Sequence, residues 1–176
     1  MRYSGLIKND VAAAPGFCVS FFTQGCPHRC LGCHNPETWD FDGGKEFTPK
    51  VLDEIYEALN ANGIERSFCV MGGEPLCPEN QFLTLLVLTE VRKHFPKVKI
   101  YLWTGYYLEE LEKMKNPRVD QILELTDVLI DGPYMERYRD VTIPMRGSRN
   151  QNIIDLRNLQ KKRICGIMYI EDEEKE

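Results

Sequence analysis

Apolar positions in this chain fall into short runs that alternate with stretches of helical spacing. Residues 17–22, FCVSFF, join aromatic and β-branched side chains in a strand-length run and predict a short buried strand. A long loop follows over 23–47, punctuated by Pro27, Pro36, Gly43 and Gly44. Thr48 and Pro49 have the character of an N-cap and a first helical position, and Val51, Leu52, Ile55, Ala58 and Leu59 recur at helical spacing until Gly63. Residues 67–71 predict a second buried strand, stopped by Gly72-Gly73-Glu74-Pro75. Residues 81–95 predict a helix whose apolar face includes Phe82, Leu85, Leu86, Leu88 and Val91. A strand over 98–103, helices over 108–114 and 119–125, and an apolar strand over 127–131 continue the alternation. Strand and helix in this order predict an α/β fold with a parallel sheet. Residues 132–152 read as loop, 163–170 as a last strand, and the acidic tail 171–176 as disordered.

At 176 residues the chain predicts a single domain over 1–176, with no repeat, linker or composition shift to divide it. Eight strand-helix units need about 250 residues, so a partial barrel or an open sheet remains. The net charge is -5, and the longest basic run is Lys161-Lys162-Arg163. Nucleic acid is therefore not an expected partner. No apolar run approaches the ~20 residues that span a bilayer, and no apolar leader follows a basic start. A cytoplasmic protein without a membrane partner is expected. Seven cysteines, three of them crowded together, argue for metal or redox chemistry in a reducing compartment over a disulfide framework.

Those three are Cys26, Cys30 and Cys33 in GCPHRCLGCHNP, and a turn-rich loop suits ligands that must converge from several directions. Iron-sulfur clusters usually take four thiolates, and no fourth cysteine follows until Cys69, which leaves one iron open. A structural zinc site built from the same cysteines and His28 or His34 is the alternative. Gly72-Gly73-Glu74 stands at the C-terminal end of a predicted parallel strand, where α/β folds bind ligands. Its glycines permit close backbone approach and its carboxylate can accept from an ammonium group; a strand-ending turn with an exposed Glu is the other reading. Thr104 and Asp131 fall at further strand ends, as pocket residues or as turn caps. Cys18, Cys69, Cys77 and Cys165 have no spacing that demands metal, and Trp39 and Trp103 read as packing residues.

The Cys-x3-Cys-x2-Cys triad, joined to GGE about forty residues on, resembles the signatures of the radical S-adenosylmethionine superfamily. The segments FTQGCPHRCLGCHNPETWDFDGG, VMGGEPL, LWTGY, VLIDGPY and RGSRNQNIID resemble those of the activating proteins of the anaerobic ribonucleoside-triphosphate reductase. The resemblance implies a partial (βα) barrel of the radical S-adenosylmethionine type. It implies a 4Fe-4S cluster on Cys26, Cys30 and Cys33 and S-adenosyl-L-methionine as cofactor. The methionine end would lie along Gly72, Gly73 and Glu74 with Thr104 and Asp131 nearby, and the adenine beside Gly32, Cys33 and His34. Gly32 stands where the superfamily commonly has an aromatic residue, and His34 is expected as a pocket wall. Arg146 and Asn150, in RGSRNQ, are either cofactor contacts or part of a solvated loop. No catalytic side chain is expected beyond cluster and cofactor. The implied reaction is one-electron cleavage of the cofactor to methionine and a 5'-deoxyadenosyl radical, which takes a hydrogen atom from a glycine Cα of the reductase. An electron donor such as a flavodoxin-type protein is implied. Two alternatives are a radical enzyme acting on a small molecule and a noncatalytic zinc-binding interaction module. A chain with few residues after Asp131 favours an open site that admits a protein segment.

Overall fold

The structure, a computed structural model, describes residues 1–159. The expected strand over 163–170, Cys165 and the tail 171–176 lie outside the described residues. Strands β1 (Arg2–Asp10), β2 (Phe17–Thr23), β3 (Lys45–Glu46), β4 (Arg66–Gly72), β5 (Ile100–Trp103), β6 (Val128–Asp131) and β7 (Asn152–Asp155) form one sheet in the order β3-β1-β2-β4-β5-β6-β7. The neighbours β2, β4, β5 and β6 are parallel. Their crossovers carry α1 (Pro49–Asn60), α2 (Pro78–His94), and α3 (Leu108–Met114) with α4 (Pro117–Leu125), because parallel neighbours cannot be joined by a tight turn. The expected α/β alternation is present. The antiparallel strands β1, β3 and β7 were not anticipated. They flank the parallel core, and their half-buried to exposed, polar-rich sequences RYSGLIKND, KE and NIID carry little periodic signal.

The sheet's two faces differ. Val19, Phe21, Phe68, Val70, Ile100, Leu102 and Leu129 join the core that α1–α4 pack against. Cys18, Cys69, Tyr101, Val128 and Ile130 alternate with them on the other face and meet Ala14, Met71, Trp103 and Met145. Period-two alternation with both faces buried explains why these strands read as continuous apolar runs. The helices lie on one face, and loop residues such as Ala13, Ala14 and Met145 pack on the other.

The face anticipated for α2 needs correction. Leu83, Val87, Leu88 and Val91 are buried, whereas Phe82 is 54% exposed. Three polar residues share the buried face. Asn80 Nδ2 donates to Gly25 O and Glu74 O, Gln81 Nε2 to Leu76 O, and Thr84 Oγ1 to Pro75 O. Polar residues that find buried partners in this way obscure the apolar stripe from which a helix phase is read.

At the opposite end of the sheet from the cysteine loop, Asp127 accepts from Ile100 N–H at 2.7 Å and from Arg157 Nε at 2.6 Å, and it also pairs with Arg92. Burial alone would raise its pKa, but these bonds outweigh it and hold the carboxyl below the usual range. A depressed folded value means that the ionised group stabilises the fold above the unfolded pKa of about 3.9, and that this contribution is lost as pH falls through the folded value. Asp127→Asn should therefore lower the urea midpoint near pH 6, with wild type and variant converging as pH falls below the folded value.

Candidate cluster and cofactor site

The loop after β2 folds back on its own root. Gln24, 2% exposed, donates from Nε2 to Glu37 O and Asp40 O. Gly25 N–H donates to Thr38 O at 2.7 Å and Cys26 N–H to Trp39 O at 3.2 Å. Between these ties the loop presents Cys26, Cys30 and Cys33, all half-buried, and Cys33 N–H closes a turn onto Cys30 O. Arg29 and Gly32 both take positive φ, 47° and 77°. These turns carry the three thiols on irregular backbone in place of a regular strand or helix.

The Gly72-Gly73-Glu74 segment is fitted against the root of this loop. Gly73 N–H donates to Thr23 O and Glu74 N–H to Gly25 O. A Cβ on Gly73 would strike Gly25 O, and one on Gly72, at φ +100°, would lie 2.9 Å from Phe22 Cα and Thr23 O. The close approach for which these glycines are needed is therefore between two segments of the chain itself. Glu74, 1% exposed, is surrounded by donors. Leu76 N–H and the Thr104 hydroxyl donate to Oε1, and Gly105 N–H and His28 Nε2 to Oε2.

The other expected residues divide into committed and open groups. Thr104 is bound to Glu74, as above. Asp131 accepts from Leu108 N–H, at the start of α3, and from Asn152 Nδ2, both at 2.8 Å. Gly32 and His34, on either side of Cys33, lie against the loop after β6. A Cβ on Gly32 would meet the Glu136 carboxylate, and the His34 ring stands edge-on to Tyr134 at 5.7 Å. Arg146 and Asn150 are different, because Arg146 Nε and Asn150 Oδ1 are buried without a partner. Asn150 Nδ2 reaches Pro133 O and the Tyr107 hydroxyl, beside the C-terminal ends of β5 and β6. A buried unpaired donor and a buried unpaired acceptor in one loop are costly unless something pairs with them. His28, Gly25, Gly105 and Asn80 also build the site, although the sequence marks only His28, as a zinc ligand, and Gly25, as irregular loop backbone. Their contacts to one another and to the Glu74 carboxylate span between 31 and 55 residues, so no local spacing marks them.

A family profile described as a 4Fe-4S single cluster domain matches residues 12–154. The Escherichia coli (strain K12) anaerobic ribonucleoside-triphosphate reductase-activating protein is 35% identical over 158 residues, covering 89% of this chain and 100% of its own. Proteins of the same name from Vibrio cholerae and Enterobacteria phage T4 are 34% and 33% identical, covering 97% and 93% of their own lengths. The chain belongs to the anaerobic ribonucleoside-triphosphate reductase-activating protein family.

The donor set of this activating-protein family member suits an iron-sulfur cluster, since three soft thiolates can each take a different iron. Burial pushes the Cys26 thiol up to about 11, with Glu74 and Cys30 adding repulsion. The Cys30 thiol is also raised, first by burial and then by Cys33 and Glu74. Thiolates crowded beside a carboxylate call for a compensating cation, and bound iron would reverse the shift. Among the described residues no three His, Cys, Asp or Glu side chains, the loop cysteines included, are grouped closely enough to hold one metal ion. His28 Nε2 is already committed to Glu74. Cys18 and Cys69 are fully buried and share a hydrogen bond that, with burial, pushes Cys69 up. Cys77 caps α2, donates to Glu74 O and is pushed up to about 12 by burial.

Proposed function

We propose that this protein activates an anaerobic ribonucleoside-triphosphate reductase by generating a glycyl radical on it, with a 4Fe-4S cluster on Cys26, Cys30 and Cys33 and S-adenosyl-L-methionine as cofactor. The observation that carries the proposal is a loop of three thiols seated on Gly72-Gly73-Glu74 in a member of this family. When bound, cluster and cofactor together supply a one-electron cleavage that yields a hydrogen-abstracting radical.

The chain's own part is to hold and to exclude. Gly25, Gly72 and Gly73 bring the loop against the end of β4, and Glu74, Thr104 and Gly105 make a bonded floor beside it. When bound, the methionine end would lie over this floor. Arg146 Nε offers a donor to its carboxylate, and Asn150 Oδ1 an acceptor to its ammonium. Asp131 supports the pocket by fixing α3 and β7. Gly32, Cys33 and His34, with Tyr134 behind them, wall the adenine. Deprotonation of Cys26 and Cys30, which burial disfavours, would accompany cluster uptake.

We further read the sheet, with α1–α4 on one face and loops on the other, as a partial (βα) barrel forming a single domain whose open side admits the reductase's glycine segment. No described helix is long and apolar enough to cross a membrane. A cytoplasmic setting with an electron donor of the flavodoxin type completes the proposal. Electron paramagnetic resonance of the reductase, after incubation with the reduced protein and cofactor, tests it.

A further inference from the structure

The carboxylate of Glu74 has its accepting capacity filled by the chain. It receives Leu76 N–H at 2.9 Å, the Thr104 hydroxyl at 2.7 Å, Gly105 N–H at 2.7 Å and His28 Nε2 at 2.8 Å. An ionised carboxylate offers about four such positions. The first three donors come from the segments that follow β4 and β5. The fourth belongs to the cysteine loop, from between Cys26 and Cys30. The His28 ring is also fitted to its place. A Cβ on Gly105 would lie 2.5 Å from its Cδ2 and 2.6 Å from Nε2, and Tyr106 packs edge-on to it at 4.6 Å between ring centres. Gly25 and Cys26 fasten only the root of the loop.

We propose that Glu74 and His28 are positioning residues: Glu74, instead of receiving the cofactor's ammonium group, clamps the cysteine loop through His28 and so sets where Cys26 and Cys30 stand relative to the cofactor pocket. The inference rests on the cluster reading of Cys26, Cys30 and Cys33. Its chemical consequence is that the ammonium group must find its acceptor elsewhere, and Asn150 Oδ1 is buried and unpaired. Its mechanistic consequence is positional, since displacement of reacting groups by about 1 Å can cost about 100-fold in rate. His28 and Gly105 contribute shape as well as a hydrogen bond, so the clamp can be opened from either side.

The test compares His28→Ala, His28→Gln and Gly105→Ala in the full chain. Hydrogen exchange of residues 26–34 is read in cluster-free protein. Cofactor affinity is read from the change that S-adenosylmethionine makes in the electron paramagnetic resonance spectrum of the reduced cluster. His28→Ala should speed exchange and weaken cofactor binding by about tenfold each, the size expected for one charge-assisted hydrogen bond. Gln can place its amide nitrogen near the position of Nε2, so His28→Gln should recover most of both losses. Gly105→Ala should reproduce the His28→Ala behaviour although all four donors remain in the chain. Wild-type exchange and affinity in His28→Ala, or equal losses in His28→Ala and His28→Gln, would overturn the clamp. The exchange measurement needs no cluster, so failure of the cluster reading leaves it decisive.

Discussion

Replacing Cys30 with alanine is expected to cost the protein its cluster and to reduce cofactor cleavage by more than about 100-fold, the upper end of what loss of even an outer-shell partner costs a metal site. Cys30 stands between Cys26 and Cys33 in the loop, and its backbone carbonyl holds the turn that presents Cys33. Alanine keeps that turn and removes only the sulfur, so the loss reports on ligation. Cys69→Ala provides the contrast. Cys69 is fully buried in β4, on the face with Tyr101 and Ile130, and bonded to Cys18. Its loss should leave iron content and cleavage near wild type. Iron analysis and quantified 5'-deoxyadenosine release from anaerobically reduced protein distinguish the two.

Replacing Glu74 with leucine should destabilise the cluster-free fold by about 3–5 kcal/mol, as when one partner of a buried charged pair is removed. Leucine has a similar volume and no acceptor. Leu76 N–H, Gly105 N–H, the Thr104 hydroxyl and His28 would all lose their partner at once, in a site that is 1% exposed. A domain with a total stability of about 5–15 kcal/mol can ill sustain such a loss. Glu74→Gln should cost less, because its carbonyl oxygen still serves Leu76 and Thr104 while its amide nitrogen faces donors. Urea unfolding of both variants without cofactor gives the comparison. A carboxylate whose main partner was a bound ammonium group would leave that unfolding curve nearly unchanged.

Local patterns carried much of the fold. The parallel strands announced themselves because both faces are buried, and α3 begins and ends where its sequence suggests, at Leu108 and Met114. The antiparallel strands were hidden, since β1 and β7 bury only part of their side chains. The phase of α2 was hidden by Asn80, Gln81 and Thr84, whose burial depends on acceptors in a distant loop and in the Glu74–Leu76 turn. At the site, the cysteine spacing and the GGE segment could be read directly, but what the segment touches could not. Its glycines looked free for a ligand, whereas Gly73 closes on Gly25. His28 looked like an optional metal ligand, whereas it meets a carboxylate 46 residues away. Orphaned atoms on Arg146 and Asn150 become visible only when every neighbouring donor and acceptor has been placed.

The most direct test of the proposed function is electron paramagnetic resonance on the reductase after anaerobic incubation with the reduced protein and S-adenosylmethionine. The expected result is a glycyl-radical signal on the reductase that requires Cys26, Cys30 and Cys33 and vanishes when the reductase's acceptor glycine is changed to alanine. Efficient cofactor cleavage with no radical on the reductase, together with turnover of a small molecule, would contradict it.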